Sequence, residues 1–356
     1  MFGRFTAAAL IAASLQLAFT SRSQAAAEVT FSFEPLSECA RVSGPGNTDF
    51  YFQHSGANGT LKDTDVGDTR TFSTAYACFN TPLLPGDRIS AFYNGTFRGV
   101  VVPRLSFTVD RATDVVTGRV APFSNVEVTH TTNSTFGPAS TVTRIVPTSS
   151  SGTFFMEFNG ARNIRGGDFV HVTWANSDGD EIRQGIDTPN FRIWYRNAAL
   201  DLSLSPNEFA TLGLRNTAGK VLAQTRGMAE SDGYTENRIW RNDAGGTVAT
   251  AAGQRVVGNF ASDASVVIPI VDIRADDLTD KVAGQCMPNA RFVIEIRGSA
   301  STRIYGTTGR KGKFTRNLSI AGVFDIKNLD KFTLVCRYGT GDEISRVAAA
   351  TAGTVP

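Results

Sequence analysis

The chain has only three histidines and four cysteines among 356 residues, and each scarcity removes a class of chemistry. His54, His130 and His171 do not stand at ligand spacing from one another, and no CxxC or Cys-His cluster accompanies the cysteines. Zinc and redox-thiol motifs are therefore missing. There is no Gly-x-Ser-x-Gly elbow, no His-Glu-x-x-His and no phosphate-binding glycine loop with its lysine. Charge is also sparse: removing Arg4 and Arg22 with the leader described next leaves 33 basic against 33 acidic side chains. That balance predicts no general affinity for nucleic acid or an anionic membrane.

Long apolar runs are absent except at the N-terminus. There Arg4 precedes Ala7 to Thr20, with Leu10, Ile11, Leu15, Leu17 and Phe19. The run falls short of the ~20 apolar residues of a spanning helix and reads as a signal-peptide core. Small residues in Ser23-Gln24-Ala25-Ala26-Ala27 suit cleavage after Ala25 or Ala27. A leader of 1–27 implies a secreted, extracellular protein; no lipid-anchor cysteine follows it and the tail Ala350 to Pro356 carries no sorting signal.

What is abundant is turn and strand chemistry. There are 34 glycines and 25 phenylalanines, and many Thr and Val stand in short runs broken by Gly, Asn, Asp and Pro, which favours strands over helices. Val29-Thr30-Phe31-Ser32-Phe33, Leu105 to Val109, Val126 to Thr129, Phe154 to Phe158 and Phe292 to Ile296 alternate or form short buried runs. Turn clusters such as Asn58-Gly59, Asn94-Gly95, Arg165-Gly166-Gly167-Asp168 and Ser231-Asp232-Gly233-Tyr234 separate them.

The chain also repeats itself. Val101 to Asp110 lies without a gap on Val267 to Asp276, and Asp114, Val116, Gly118, Pro122 and Val128 fall on Asp280, Val282, Gly284, Pro288 and Ile294. A second block, Val172 to Ile182, lies over Leu334 to Ile344, and Gly86-Asp87-Arg88-Ile89 answers Gly253-Gln254-Arg255-Val256. Blocks in one order at nearly constant offset imply two copies of a unit of about 160 residues, each divided again near Pro103 and Pro269. The expected fold is all-β: tandem antiparallel β-sandwich domains in a duplicated two-domain unit, at 28–103, 104–190, 191–269 and 270–350.

Leu105 to Asp110, Asp114 to Gly118 and Ala121-Pro122, then Gly167 to Val172 and Asp178-Gly179-Asp180, resemble the tandem Ig-like or carboxypeptidase-regulatory-like repeats of bacterial extracellular proteins. The resemblance implies β-sandwich modules in surface, adhesion or matrix roles and supplies no catalytic residues.

Four cysteines in an exported chain favour disulfides over thiols. Cys286 lies where the first copy has Val120 and Cys336 where it has Trp174, two strand positions facing one core in a sandwich. The expected pairs are Cys286 with Cys336 and Cys39 with Cys78.

Two acidic clusters have the oxygen chemistry of a Ca²⁺ site: Asp63, Asp65 and Asp68, and Asp178 with Asp180 and Glu181. Neither fits the EF-hand frame, and solvated hairpin turns explain both; Thr340 replaces Asp178 in the second copy. No cofactor is otherwise expected. Trp194, Tyr195 and Trp240 are candidates for stacking sugar rings, against packing between domains as the plainer use. Sequons begin at Asn58, Asn94, Asn133 and Asn317. Two functions follow. One is a non-catalytic surface, adhesion or ligand-binding module with a glycan or protein partner. The alternative is an exported glycan-active hydrolase whose carboxylate pair is assembled in space and leaves no spacing signature.

Overall fold

Alternation in the sequence becomes alternation in burial. Along strand Asp49–Ser55, Phe50, Phe52 and His54 are buried while Asp49 and Tyr51 face solvent, and strand Cys39–Ser43 buries Ala40 and Val42. Same-face neighbours two apart stack their rings: the centroids of Phe31 and Phe33 are 5.9 Å apart and those of Phe50 and Phe52 5.6 Å. The computed structural model describes residues 29–34, 38–69, 73–158, 163–205, 208–229, 234–298, 301–319 and 325–352; the expected leader and the Ser231-Asp232-Gly233 turn lie outside them. Among the described residues the fold is all-β, with 28 strands and one 3-10 turn. No helix among them is long and apolar enough to cross a membrane.

The repeat is exact in strand order. Fourteen strands, from Thr30–Phe33 to Glu181–Asp187, are followed by fourteen more, from Asn190–Trp194 to Glu343–Ala349. The chain divides into two compact units. The first runs to Ser106 and adds Arg119–Asn125 and Thr173–Gln184; the second holds Phe107–Gly118, Val126–Val172 and everything from Gly185. In the first unit, Asp49–Ser55 lies between Leu61–Asp68 and Arg88–Tyr93, with Thr96–Val101 at the far edge. In the second unit, Phe209–Arg215 lies in the same way between Val221–Met228 and Arg255–Gly258, with Ser265–Val267 at the edge. The second unit also holds a seven-stranded sheet, in the order Tyr234–Ile239, Ala199–Ser203, Asn190–Trp194, Glu343–Ala349, Lys331–Arg337, Arg291–Arg297, Ser301–Thr307.

Most pairings are antiparallel, but the first strand of each copy runs parallel to the last. Ser32 and Phe33 pair with Glu181 and Ile182, and Arg192 and Ile193 pair with Glu343 and Ile344. An aspartate ahead of the last strand fixes each junction. Asp180 accepts the Phe31 N–H at 3.0 Å and Asp342 accepts the Phe191 N–H at 3.2 Å. The aligned Asp114 and Asp280 are equivalent too: both have positive φ, and each carboxylate accepts one downstream N–H, from Ile164 at 2.7 Å and Ile326 at 2.9 Å.

One turn occurs four times. Gly86, Gly167, Gly253 and Leu329 have positive φ, and the next residue is Asp87, Asp168, Gln254 or Asp330. Its side chain accepts the N–H three residues back, from Leu84, Arg165, Ala251 and Lys327, at 2.7 to 3.0 Å. Its backbone carbonyl accepts the N–H of Val102, Thr188, Ile268 or Ala350 at 2.7 to 2.9 Å. This turn, Gly-Asp at two of the four places, is thus a closure device joining a loop to the residue that follows strand Thr96–Val101, Glu181–Asp187, Ser265–Val267 or Glu343–Ala349.

A hydrophobic core fills the second unit around Phe191, Leu212, Trp240, Phe292 and Phe332, all essentially inaccessible. Strand Arg291–Arg297 is buried on both faces in its middle, because Phe136 of the 3-10 turn Ser134–Phe136 packs on Val293 and Val335.

Candidate functional site

The outward face of the first unit's four-stranded sheet carries an apolar row that the register assembles. Tyr51 stands opposite Val66 on one side and Phe92 on the other, and Phe92 stands opposite Phe97. Val66, Tyr51, Phe92 and Phe97 therefore cross all four strands in one line. Their exposures are 71%, 41%, 37% and 51%. The ring centroids lie 6.0 Å (Tyr51 to Phe92) and 5.1 Å (Phe92 to Phe97) apart at tilted angles, and the Arg88 guanidinium sits 5.9 Å from the Phe97 ring. A shallow groove of about 570 Å³ runs along Tyr51, Val66 and Phe92, with Asp49, Asp68 and Asn94 at its polar rim.

The fold does not require this row. At the same register in the second unit Thr211 stands opposite Arg226, in a sheet of the same order. The row itself is mainly apolar, and the carboxylates of Asp49 and Asp68 stand at its rim. It offers ring faces and apolar area for stacking and desolvation.

The ionisable groups that resemble a catalytic set are enclosed. His54 Nε2 lies 2.8 Å from Asp87 Oδ2, with Thr81 Oγ1 3.1 Å from Nδ1 and Lys62 Nζ donating to the same carboxylate at 2.7 Å. Burial pushes the Asp87 carboxyl up, but the hydrogen bonds from Lys62, His54 and the Leu84 N–H hold it below the usual range. The pair recurs in the second unit, where His130 Nε2 is 3.0 Å from Asp168 Oδ2. Arg337 donates to Asp168 Oδ1 at 2.8 Å and to the Gly166 carbonyl at 2.6 Å. Burial again acts upward on Asp168, and His130, Arg337 and the Asn133 N–H together bring it down. Both histidines are fully buried. Leu214 and Ile296, also fully buried, hold the corresponding positions in strands Phe209–Arg215 and Arg291–Arg297, so the histidines occupy core sites that hydrocarbon fills elsewhere. His171 stacks on Phe169 at 6.2 Å.

Two further carboxylates are buried in the second unit. Arg111 grips Asp342 through Nη1 at 3.1 Å and Nη2 at 2.9 Å, and it also reaches Asp263 at 2.7 Å and the Pro189 carbonyl at 2.8 Å. Arg192 Nε and Nη2 both lie 2.6 Å from Glu343 Oε2. Burial raises both acids, while Arg111 and Arg192 respectively pull them back.

The acidic residues singled out in the sequence are tied to the protein's own donors. Asp63 accepts the Thr64 and Asn80 N–H groups and the Asn80 amide; Asp65 accepts the Val66 and Cys78 N–H groups. The period of two serves this pairing: Asp63 and Asp65 share a face and satisfy Asn80 and Cys78, likewise two apart. The Asn80 N–H and then the Thr64 N–H hold Asp63 below its ordinary value. Asp68 ends the strand opposite Asp49. Asp180 is buried against Arg98 at 2.7 Å, and Asp178 is exposed 3.9 Å from the same guanidinium. Among the described residues no group of three or more His, Cys, Asp or Glu is placed to hold a metal ion.

The aromatic candidates are not on one face. Trp240 is fully buried and Tyr195 nearly so, both in the core of the second unit; the Trp194 indole donates to Asp201 at 3.0 Å. The exposed rings that the register brings into one line are instead Tyr51, Phe92 and Phe97, none of them a candidate from the sequence. Both disulfides form as expected, Cys39 to Cys78 and Cys286 to Cys336. The first joins residues directly opposite on paired strands, and the second lies in the core.

No protein-family profile matches the chain, and none of the curated proteins matches it. Solved structures that align include a tetra-tandem repeat from the extending region of a large adhesion protein, at 13% identity over 91% of this chain and 99% of that one, with a TM-score of 0.19. The BSP domain of a biofilm-associated protein aligns at 8% identity over 92% and 96%, with a TM-score of 0.20. A bacterial ice-binding adhesin aligns at 11% identity over 70% and 98%, with a TM-score of 0.17. Scores of this size fall well short of a shared arrangement along the chain, and no function is carried over from these proteins.

Proposed function

We propose that this is a secreted, non-catalytic β-sandwich repeat protein, built of pieces at 28–103, 104–190, 191–269 and 270–350, that binds a glycan or protein at a cell surface or in a matrix. The observation that carries the reading is the exposed row Val66, Tyr51, Phe92 and Phe97, present in the first unit and replaced by Thr211 and Arg226 at the matching register in the second. An apolar strip that folding does not need is selected for contact with something else. The buried acids and histidines support a non-catalytic role, since Asp87, Asp168, Asp180, Asp342 and Glu343 are each held by a cation or a backbone N–H and His54 and His130 are each held by an aspartate. Two disulfides and the leader-like N-terminus support an extracellular location.

The test is a binding screen of the protein, without its leader, on a broad glycan array and a panel of extracellular proteins. It is run with calcium and with chelator, and every glycan hit is followed by a reducing-end assay. Binding without turnover supports the proposal, and turnover of any hit overturns it. Loss of binding in chelator would reinstate a metal role for the acidic turns.

A further inference from the structure

A second surface feature lies in the second unit, where Val221–Met228 faces the chain around Ile239. Arg226, Arg238 and Arg241 line a groove of about 500 Å³ there, with Gln224, Thr225 and Asn242; among the described residues Asp243 is the only acid in its lining. Arg241 donates one bond to the Gly245 carbonyl at 3.0 Å. Arg238 Nε is shielded from water and has no hydrogen-bond partner. Among the described residues none of the three guanidiniums is paired with a carboxylate, in a protein that binds Arg111, Arg192 and Arg337 tightly to acids. The matching edge of the first unit is the reverse: there Asp63 and Asp65 bond to backbone N–H groups. Three guanidiniums with no carboxylate partner among the described residues thus line this groove from both sides, a property of the groove and not of the fold.

We propose that this groove binds the carboxylates of an acidic polysaccharide, a uronate-type chain. A guanidinium presents a planar fork of donors that fits a carboxylate in two places at once. Three forks against one acid leave excess positive charge that a polyanion neutralises. The flanking amides of Gln224 and Asn242 donate and accept, as sugar hydroxyls require. A peptide would want apolar anchor pockets, and among the described residues Ile239 is the single large apolar side chain in the lining. The site is independent of the apolar row in the first unit.

The test uses the full chain without its leader and oligogalacturonate as the probe, in a calorimetric titration. Arg226 and Arg241 are exposed, so Arg226→Gln with Arg241→Gln leaves the fold intact, as the unfolding midpoint checks. Each substitution is expected to weaken binding by about tenfold, the size of one charge-assisted hydrogen bond. Raising salt should weaken it further. Methyl-esterified oligogalacturonate should not bind, and Tyr51→Ser with Phe92→Ser should leave oligogalacturonate affinity unchanged. The proposal is overturned if the esterified chain binds equally well, if the double arginine variant binds like the parent, or if poly-glutamate binds as tightly as the uronate.

Discussion

Replacing Arg111 with methionine tests whether the buried ion pairs are structural supports. Arg111 has a side-chain exposure of 1%, and the Asp342 carboxylate it grips is fully buried. Without the guanidinium, Asp342 keeps only the Thr340 hydroxyl at 2.9 Å and the Phe191 N–H at 3.2 Å. Removing one partner of a buried pair costs about 3–5 kcal/mol, because the remaining charge is uncompensated. For a unit of 150–250 residues that is a drop on the order of 10 °C in Tm. The sign of the pH dependence follows from Asp342. Burial already raises its carboxyl, and Arg111 opposes the rise; in the variant the folded-state value climbs further above the unfolded one. Such a group contributes stability below its unfolded pKa and loses it as pH rises through the folded pKa. Destabilisation should therefore be larger at pH 8 than at pH 4. Urea unfolding at both pH values, followed through Trp194 and Trp240 fluorescence, reads the difference. Adding Asp342→Leu should restore part of the loss, the remainder being the Phe191 N–H left without its acceptor. A loss under about 1 kcal/mol at pH 8, or one that does not change with pH, would refute the reasoning.

Other consequences follow from the same geometry. Gly341 has φ +96° and a Cβ there would lie 2.2 Å from the Gly166 nitrogen, so Gly341→Ala should cost at least about 2 kcal/mol by backbone strain and clash, seen as a lower midpoint in urea. The Cys286 to Cys336 bridge spans 50 residues; replacing both by serine should cost up to about 4 kcal/mol in the chain-entropy model, measured by the same unfolding. Asp168 is held below its ordinary value in the fold, so its contribution is complete above the unfolded carboxyl pKa and disappears as pH falls through the folded one. Asp168→Asn should flatten the acid limb of the Tm against pH curve, while lowering Tm at neutral pH.

How much of this was readable beforehand depends on the range of each signal. Strand content follows from local alternation, as in Phe50, Phe52 and His54, and is readable residue by residue. The duplication is readable because Asp114 with Asp280, and Asp180 with Asp342, do the same backbone work in both copies and so stay in place. The disulfide pairs follow from the same alignment. The parallel pairing of Ser32 with Glu181 is not readable, since it joins residues about 150 apart with no turn to announce it. The apolar row is hidden for a similar reason: Tyr51, Val66, Phe92 and Phe97 come from four strands, and only the pairing register shows that they share a line. Trp240 and Tyr195 drew attention by their size, yet large rings bury the most area and the core of the second unit took them. Asp63 and Asp65 read as metal ligands because carboxylates satisfy N–H groups and cations alike.

The most direct test of the central claim compares the parent with the variant Tyr51→Ser, Phe92→Ser on whichever ligand other than an acidic polysaccharide the screen returns. The row is exposed, so the unfolding midpoint should move little while affinity falls by about tenfold or more, as for loss of interfacial aromatic anchors. Equal affinity in the two proteins, or chemical conversion of the ligand by either, would contradict the assignment of this face as the binding surface of a non-catalytic module.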